Sequence, residues 1–338
     1  MTIIVDGMGG DNAPLQILKG CAMAVEELGV KIIVTGPQAL LKKTMEDNDI
    51  DDNGIEIRDA QEVITMDDDA GIVLKAKRNS SMGLGFDLLK NGEGDAFVSA
   101  GNSGAVLAGG TLIVKRIPNV KRAAFAPVFP SKTGHFMLID SGANEVCTPE
   151  YLDQFGTMGA LYMKNAGFCS SPKVGLLNNG TEECKGPELY QKAHALLKEN
   201  KAFDFVGNIE GRGIFDGTCD VVVADGFAGN ILLKTVEGTA MFMMSIMKEA
   251  LTATLFSKLL AAMLKPQLRV MKRKLDYTEE GGAVLLGVSK PVVKAHGSSN
   301  AKAFKNAIRQ AANFAKSGAV ETITQQLKAQ KEAAQAEK

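Results

Sequence analysis

The residues best suited to chemistry lie in short loops rich in Gly, Asn, Ser and Asp. Asp6-Gly7-Met8-Gly9-Gly10-Asp11 follows Ile3-Ile4-Val5, Ser99-Ala100-Gly101-Asn102-Ser103-Gly104 follows Ala96-Phe97-Val98, and Asp140-Ser141-Gly142-Ala143-Asn144 follows an apolar run ending at Ile139. Asn178-Asn179-Gly180-Thr181 ends the run Val174 to Leu177, and Asp225-Gly226-Phe227-Ala228-Gly229-Asn230 ends Val221-Val222-Val223. Glycine supplies positive φ and lets backbone N–H groups approach an anion at a helix N-terminus, so such loops are natural phosphate cradles. Taken singly, each also reads as an ordinary strand-to-helix turn, and the Gly7-x-Gly9-Gly10 spacing is neither a dinucleotide fingerprint nor a P-loop. Their number describes a polar, anion-friendly cleft.

Lys185 follows the Asn178 loop, where an ammonium would neutralise a phosphate or a developing oxyanion; a solvated surface Lys is the alternative. Asp225 and Asn230 flank a loop leading straight into a helix, so a capping role competes with a site role. Of three histidines, His194 falls in a helical run and His135 precedes a strand. His296 lies in the turn Lys294-Ala295-His296-Gly297-Ser298-Ser299-Asn300, a setting for a general acid or base, a phosphate ligand or a structural turn. A G-x-S-x-G elbow, an H-E-x-x-H pair and a His/Cys cluster are all missing, which weakens hydrolase, zinc-enzyme and kinase readings.

The elements that must hold these loops are short β-branched runs, Ile32-Ile33-Val34 among them, alternating with helical patterns. Continuous apolar runs indicate strands buried on both faces of a largely parallel sheet, where ligands gather at the carboxyl ends. Helices are predicted over 14–28, 69–79, 148–165, 187–200, 231–264 and from near Ser299, with 326–338 read as a frayed polar tail. No Pro/Ser-rich linker divides the 338 residues, so one α/β domain over 1–325 is expected.

Lys+Arg number 38 against 39 Asp+Glu, so the net charge of -1 steers no nucleic acid to the chain. Five scattered cysteines without a C-x-x-C pair argue against disulfides and structural zinc, and the N-terminus lacks a secretory pattern; a cytoplasmic protein is expected. The strongest local charge signal is a basic, apolar protrusion at about 245–275. Leu251, Leu255, Leu259 and Met263 repeat every four residues, while Lys258, Lys265, Arg269, Lys272, Arg273 and Lys274 add cations without an acid between them. Pro266 is predicted to break this run into two arms. The pattern reads as an interfacial membrane anchor, a dock for an acidic protein, or a dimer core with a solvated rim.

These residues resemble the bacterial acyl-carrier-protein-dependent phosphate acyltransferases of phospholipid synthesis, the PlsX type. The likeness runs through the loops above and through Arg78-Asn79-Ser80-Ser81-Met82, Gly207-Asn208-Ile209-Glu210-Gly211, Gly281-Gly282-Ala283-Val284-Leu285-Leu286-Gly287 and His296-Gly297-Ser298-Ser299. Asn179 and Ser141 depart from the family's usual apolar or small residues. The resemblance implies conversion of acyl-carrier-protein thioester plus inorganic phosphate into acyl phosphate and free carrier, for use by a downstream glycerol-3-phosphate acyltransferase. It also implies a Rossmann-like α/β/α fold akin to the isocitrate and isopropylmalate dehydrogenases, a homodimer, and peripheral association with the inner face of the cell membrane, with no metal or cofactor.

On this reading Lys185, Asp225, Asn230 and His296 are the catalytic candidates. Gly9, Gly10, Asp11, Asn102, Ser103, Asn144, Asn178 and Ser298 are expected to bind phosphate or substrate, while Leu255, Lys258, Leu259, Met263, Arg269, Lys272 and Arg273 dock membrane or carrier. The rivals are a short-chain phosphate acetyl- or butyryltransferase using coenzyme A, a nicotinamide-dependent decarboxylating dehydrogenase, and a catalytically silent membrane scaffold.

Overall fold

Alternating β-branched runs and amphipathic helices fold into an α/β/α sandwich. The computed structural model describes residues 1–268, 271 and 281–336. Its strands are β1 (Thr2–Asp6), β2 (Lys31–Gly36), β3 (Ile55–Asp59), β4 (Ala96–Ser99), β5 (Ala124–Pro130), β6 (His135–Ile139), β7 (Lys173–Asn178), β8 (Asp204–Glu210), β9 (Val221–Val223), β10 (Ala283–Leu286) and β11 (Val292–Lys294). They form one sheet in the order β3-β2-β1-β4-β11-β10-β5-β6-β9-β7-β8.

Two parallel blocks meet at an antiparallel seam. β2, β1, β4 and β11 pair in parallel, as do β6, β9, β7 and β8, whereas β10 runs antiparallel to β11 and β5, and β5 to β6. Three reversals turn the second block against the first. The carboxyl ends of β1, β4 and β11 therefore lie at one end of the sheet, and those of β6, β9 and β7 at the other.

Successive strand residues point to opposite faces, and the cores follow. Ile3, Val5, Met137 and Ile139 join a core beneath α1 (Leu15–Leu28), α5 (Pro149–Asn165), α6 (Glu188–Glu199), α9 (Ala301–Ser317) and α10 (Ala319–Ala336). On the other face Ile4 and Phe97 pack under α3 (Ser81–Asn91) and α4 (Ser103–Gly109), while Phe136, Leu138 and Val222 pack under α7 (Gly226–Thr252). That second face thus carries two separate cores.

Several predicted elements change. Over 69–79 only a 3-10 turn forms at Ala70–Leu74, because Asp69 caps it through Gly71 N–H and Ser80 starts the true helix by accepting from Gly83 N–H. The 231–264 run begins earlier, at Gly226, and divides at Ala253–Thr254. Thr254 and Ser257 form a reciprocal capping box that opens α8 (Leu255–Met263), whose C-cap, Leu264, stands two residues before Pro266. The polar segment read as a tail continues α10 to Ala336, since Ile323 and Leu327, one helical turn apart, are buried.

Candidate functional site

The loops after β1, β4 and β11 close on one another. A Cβ on Gly9 would lie 2.7 Å from both Asp6 Oδ2 and Gly101 N, and one on Gly10, at φ 98°, would meet the Gly297 carbonyl oxygen at 2.8 Å. Only glycine permits this approach. Asp11 N–H donates to the same carbonyl at 2.9 Å. Buried Asp6 accepts from Met8 N–H at 3.2 Å and from the Ser99 hydroxyl at 2.7 Å, and Ser99 Oγ accepts from Gly101 N–H at 3.0 Å. Burial pushes the Asp6 carboxyl up, opposed by hydrogen bonds from Ser81 and Ser99.

His296 lies over this junction. Its Nδ1 is 2.9 Å from Ser298 Oγ and accepts from Ser298 N–H at 3.2 Å. An acceptor Nδ1 carries no proton, so the neutral ring holds its proton on Nε2. Burial lowers the His296 pKa, and Glu237 works against that by favouring the cation.

A second group of residues occupies the far end of the sheet, after β6 and β9. The Asp140 carboxylate accepts from the N–H groups of Phe125, Gly142, Ala143 and Asn144 and from Asn144 Nδ2, at 2.7 to 3.2 Å. Burial raises its pKa while these donors oppose the shift. The loop is a nest whose anion is its own aspartate, so its N–H groups are already taken. Asp225 Oδ1 caps α7 through Ala228 N–H at 2.7 Å, and its Oδ2 accepts from Tyr190 OH at 2.8 Å.

Helix α7 links the two ends. Asn230, Lys234 and Glu237 are spaced i, i+4, i+7 and so share a stripe. Asn230 packs against Gly142, Lys234 Nζ pairs with Glu237 at 2.7 Å, and the charges of both reach His296. Glu237, next to Val236 at the last turn that packs on the sheet, is buried.

The sequence candidates divide accordingly. Gly9, Gly10, Asp11, His296 and Ser298 come together at one junction, whereas Asn230 lies against Gly142 at the other end, on the α7 stripe whose Lys234 and Glu237 act on His296. Asn102 is a structural residue: its Oδ1 caps α4 through Ala105 N–H at 3.0 Å, and its Nδ2 donates to the carbonyls of Met66 and Asp68 at 3.2 and 3.0 Å. Ser103, first in α4, is exposed. Asn144 is held by Ala123 O at 2.8 Å and by Asp140. Asn178 Nδ2 donates to Lys185 O at 3.1 Å, fixing the loop in which Lys185 stands 46% exposed, 3.9 Å from Glu182. That loop touches the rest through α6, whose Tyr190 reaches Asp225.

Among docking candidates, Leu255, Leu259 and Met263 are 86%, 61% and 71% exposed, and Lys258 is exposed too. Arg269, Lys272 and Arg273 lie outside the described residues. From Gly238 onward α7 carries Met241, Phe242, Met243 and Ile246 in the open, and α8 adds Phe256 and Leu260. No helix among the described residues is long and apolar enough to cross a membrane.

Sequence reasoning passed over Asp6, Asp140, Tyr190, Lys234, Glu237 and Lys294. A signal existed for two of them, because Lys234 and Glu237 repeat Asn230 at helical spacing.

Comparisons agree with this architecture. A family model described as "Fatty acid synthesis protein" matches residues 1–322. Proteins named phosphate acyltransferase from Clostridium perfringens and Alkaliphilus oremlandii are 44% and 45% identical over 328 and 325 residues, covering 97% and 96% of this chain and 97% of each relative. Phosphotransacetylase structures from Streptococcus pyogenes and Staphylococcus aureus share the fold, with TM-scores of 0.61 and 0.60 at 18% and 16% identity; they cover 95% and 94% of this chain and 94% of each solved chain. With Rossmann-like α/β/α architecture, a family model matching residues 1–322 and 44% identity to a named phosphate acyltransferase over 97% of its length, this chain belongs to the phosphate acyltransferase family, the PlsX type.

Proposed function

We propose that the acyl donor is the thioester of an acyl carrier protein and the acceptor is inorganic phosphate, giving acyl phosphate for phospholipid synthesis. A phosphate oxygen adds to the thioester carbonyl carbon and the carbonyl oxygen takes the negative charge. The C–S bond then breaks, and the departing carrier thiolate is protonated by solvent. Phosphate is largely ionised near neutrality, a phosphorylated side chain having a second pKa of about 6, so little base catalysis is needed. Anion binding, orientation and oxyanion stabilisation remain.

Lys185 supplies charge to phosphate or oxyanion, and Ser103 meets the anion at the positive end of α4. Asn230 and His296 orient phosphate and thioester. Asn102 and Asp225 act one step back, holding the first turns of α4 and α7. Gly9, Gly10, Asp11, Asn144, Asn178 and Ser298 shape the loops around the reactants.

The observation that carries a long acyl chain on a carrier protein, over coenzyme A and a short chain, is the exposed apolar arm of α7 and α8. A short-chain enzyme acting in water has no use for such a surface, which here suits peripheral docking on the inner face of the cell membrane, with a second copy of the chain beside it. Incubating the purified protein with palmitoyl-carrier protein and labelled phosphate is expected to yield labelled acyl phosphate together with free carrier thiol. Turnover of acetyl-coenzyme A alone would instead establish the short-chain reading.

A further inference from the structure

We propose that Lys294 is a positioning residue of the acyl-transfer site, its ammonium tying the loop after β4 to the loop after β11 and so setting where Ser103 and His296 stand relative to each other. This rests on the site proposed above. Lys294 Nζ donates to Ala100 O at 3.2 Å and to Ala295 O at 2.5 Å. Ala100 lies two residues before the Asn102 cap, and Ala295 immediately precedes His296. The neighbouring Ala295 N–H donates to Ser99 O at 2.9 Å, so the ammonium continues the β4–β11 pairing past the point where the strands end.

A buried ammonium at a strand terminus is unfavourable unless it is partnered. Its surroundings are unusually charged: Asp6 from β1, Asp11 from the following loop and Lys234 from α7 all act on it, and it acts on His296, which in turn feels Glu237. Burial, then Lys234, brings the Lys294 pKa down to about 8, against the pull of Asp11 and Asp6. As pH rises through that value the ammonium becomes an amine and the tie loses its charge assistance. Lys234 stays exposed to solvent on its helix.

Wild type, Lys294→Arg and Lys294→Gln are compared for acyl phosphate formation from palmitoyl-carrier protein and phosphate. Lys294→Gln keeps two N–H donors but no charge, and is expected to lose about tenfold or more in kcat with KM for the carrier changed by less than about threefold. Wild type is expected to lose rate above about pH 8, and Lys294→Arg, which keeps its charge, to recover part of the rate and shift that alkaline limb upward. A Lys294→Gln rate within twofold of wild type, or the same alkaline limb in all three proteins, overturns the assignment.

Amide exchange separates this from failure of the reaction assignment. Were wild type to make no acyl phosphate, that would remove the proposed reaction. Faster exchange at Gly101–Ser103 and Gly297–Ser299 in Lys294→Gln would still support the tie, and unchanged exchange there would refute it. Lys294→Met, which also lacks the charge, serves the same comparison should Lys294→Gln not fold.

Discussion

Lys185 stands exposed on a loop that two buried or half-buried amides hold in place, Asn178 through Lys185 O and Asn208 Nδ2 through Glu182 O at 2.7 Å. Its ammonium contributes little to the fold, because an exposed pair at 3.9 Å is worth about 0 to 1 kcal/mol. Lys185→Ala is therefore expected to slow acyl phosphate formation by about tenfold or more while leaving the thermal midpoint near wild type; unchanged turnover would remove Lys185 from the site. Histidines make a separate prediction. Burial lowers the pKa of both His194 and His296 below 6.5, so the unfolded chain binds more protons at low pH. Stability from these residues is complete above pH 6.5 and declines as pH falls below it. Urea midpoints measured across that range should fall with acid, and His194→Gln should flatten the slope.

Individual side-chain roles were the least legible part of the sequence. Asn102, Asn144 and Asp225 have the polar chemistry of a site, yet Asn102 and Asp225 accept from helix starts, Asn144 Nδ2 donates to a carbonyl, and Asp225 also accepts from Tyr190 OH. The same residue types serve both purposes, and only three-dimensional partners distinguish them. Lys294 lay in plain view beside His296, but its burial depends on strands β4 and β11 meeting from distant parts of the chain.

At the scale of elements, the joint between α7 and the Asp140 loop is the tightest. A Cβ on Gly229 would fall 1.9 Å from the Asp140 carbonyl oxygen, and one on Gly226 2.6 Å from Asn144 O. Neither neighbour can rotate away, because both are backbone. Gly229→Ala is thus expected to destabilise by about 3 kcal/mol, near the upper end for overpacking, and to show it as a lower denaturation midpoint. Helix starts were harder to see than strands. β1, β4 and β9 announced themselves as unbroken apolar runs, whereas α3 opens with Ser81-Met82-Gly83 and was hidden behind the misread 69–79 segment. The division between α7 and α8 rests on a Thr254–Ser257 capping box that looks unremarkable within a long apolar window.

For the whole molecule, the arm and the sheet make distinct demands. Leu255→Glu with Leu259→Glu places charge on residues already exposed, so folding should be unaffected, while flotation with anionic vesicles should drop sharply. Undiminished binding would refute the interfacial role. The sheet was legible as a class but not in its polarity: apolar runs identify buried strands, yet the reversal between β10 and β5 depends on a pairing between segments more than a hundred residues apart.

One unbroken helix carries both Asn230 and the exposed arm. Between Asn230 and the break after Thr252 lie 22 helical steps, about 33 Å at 1.5 Å per residue. The helix has no interruption over that span, so it works as a gauge rod. The start of α8 is held at a constant standoff from Asn230, and a tilt at the far end swings Asn230 and Lys234 by a proportionate angle.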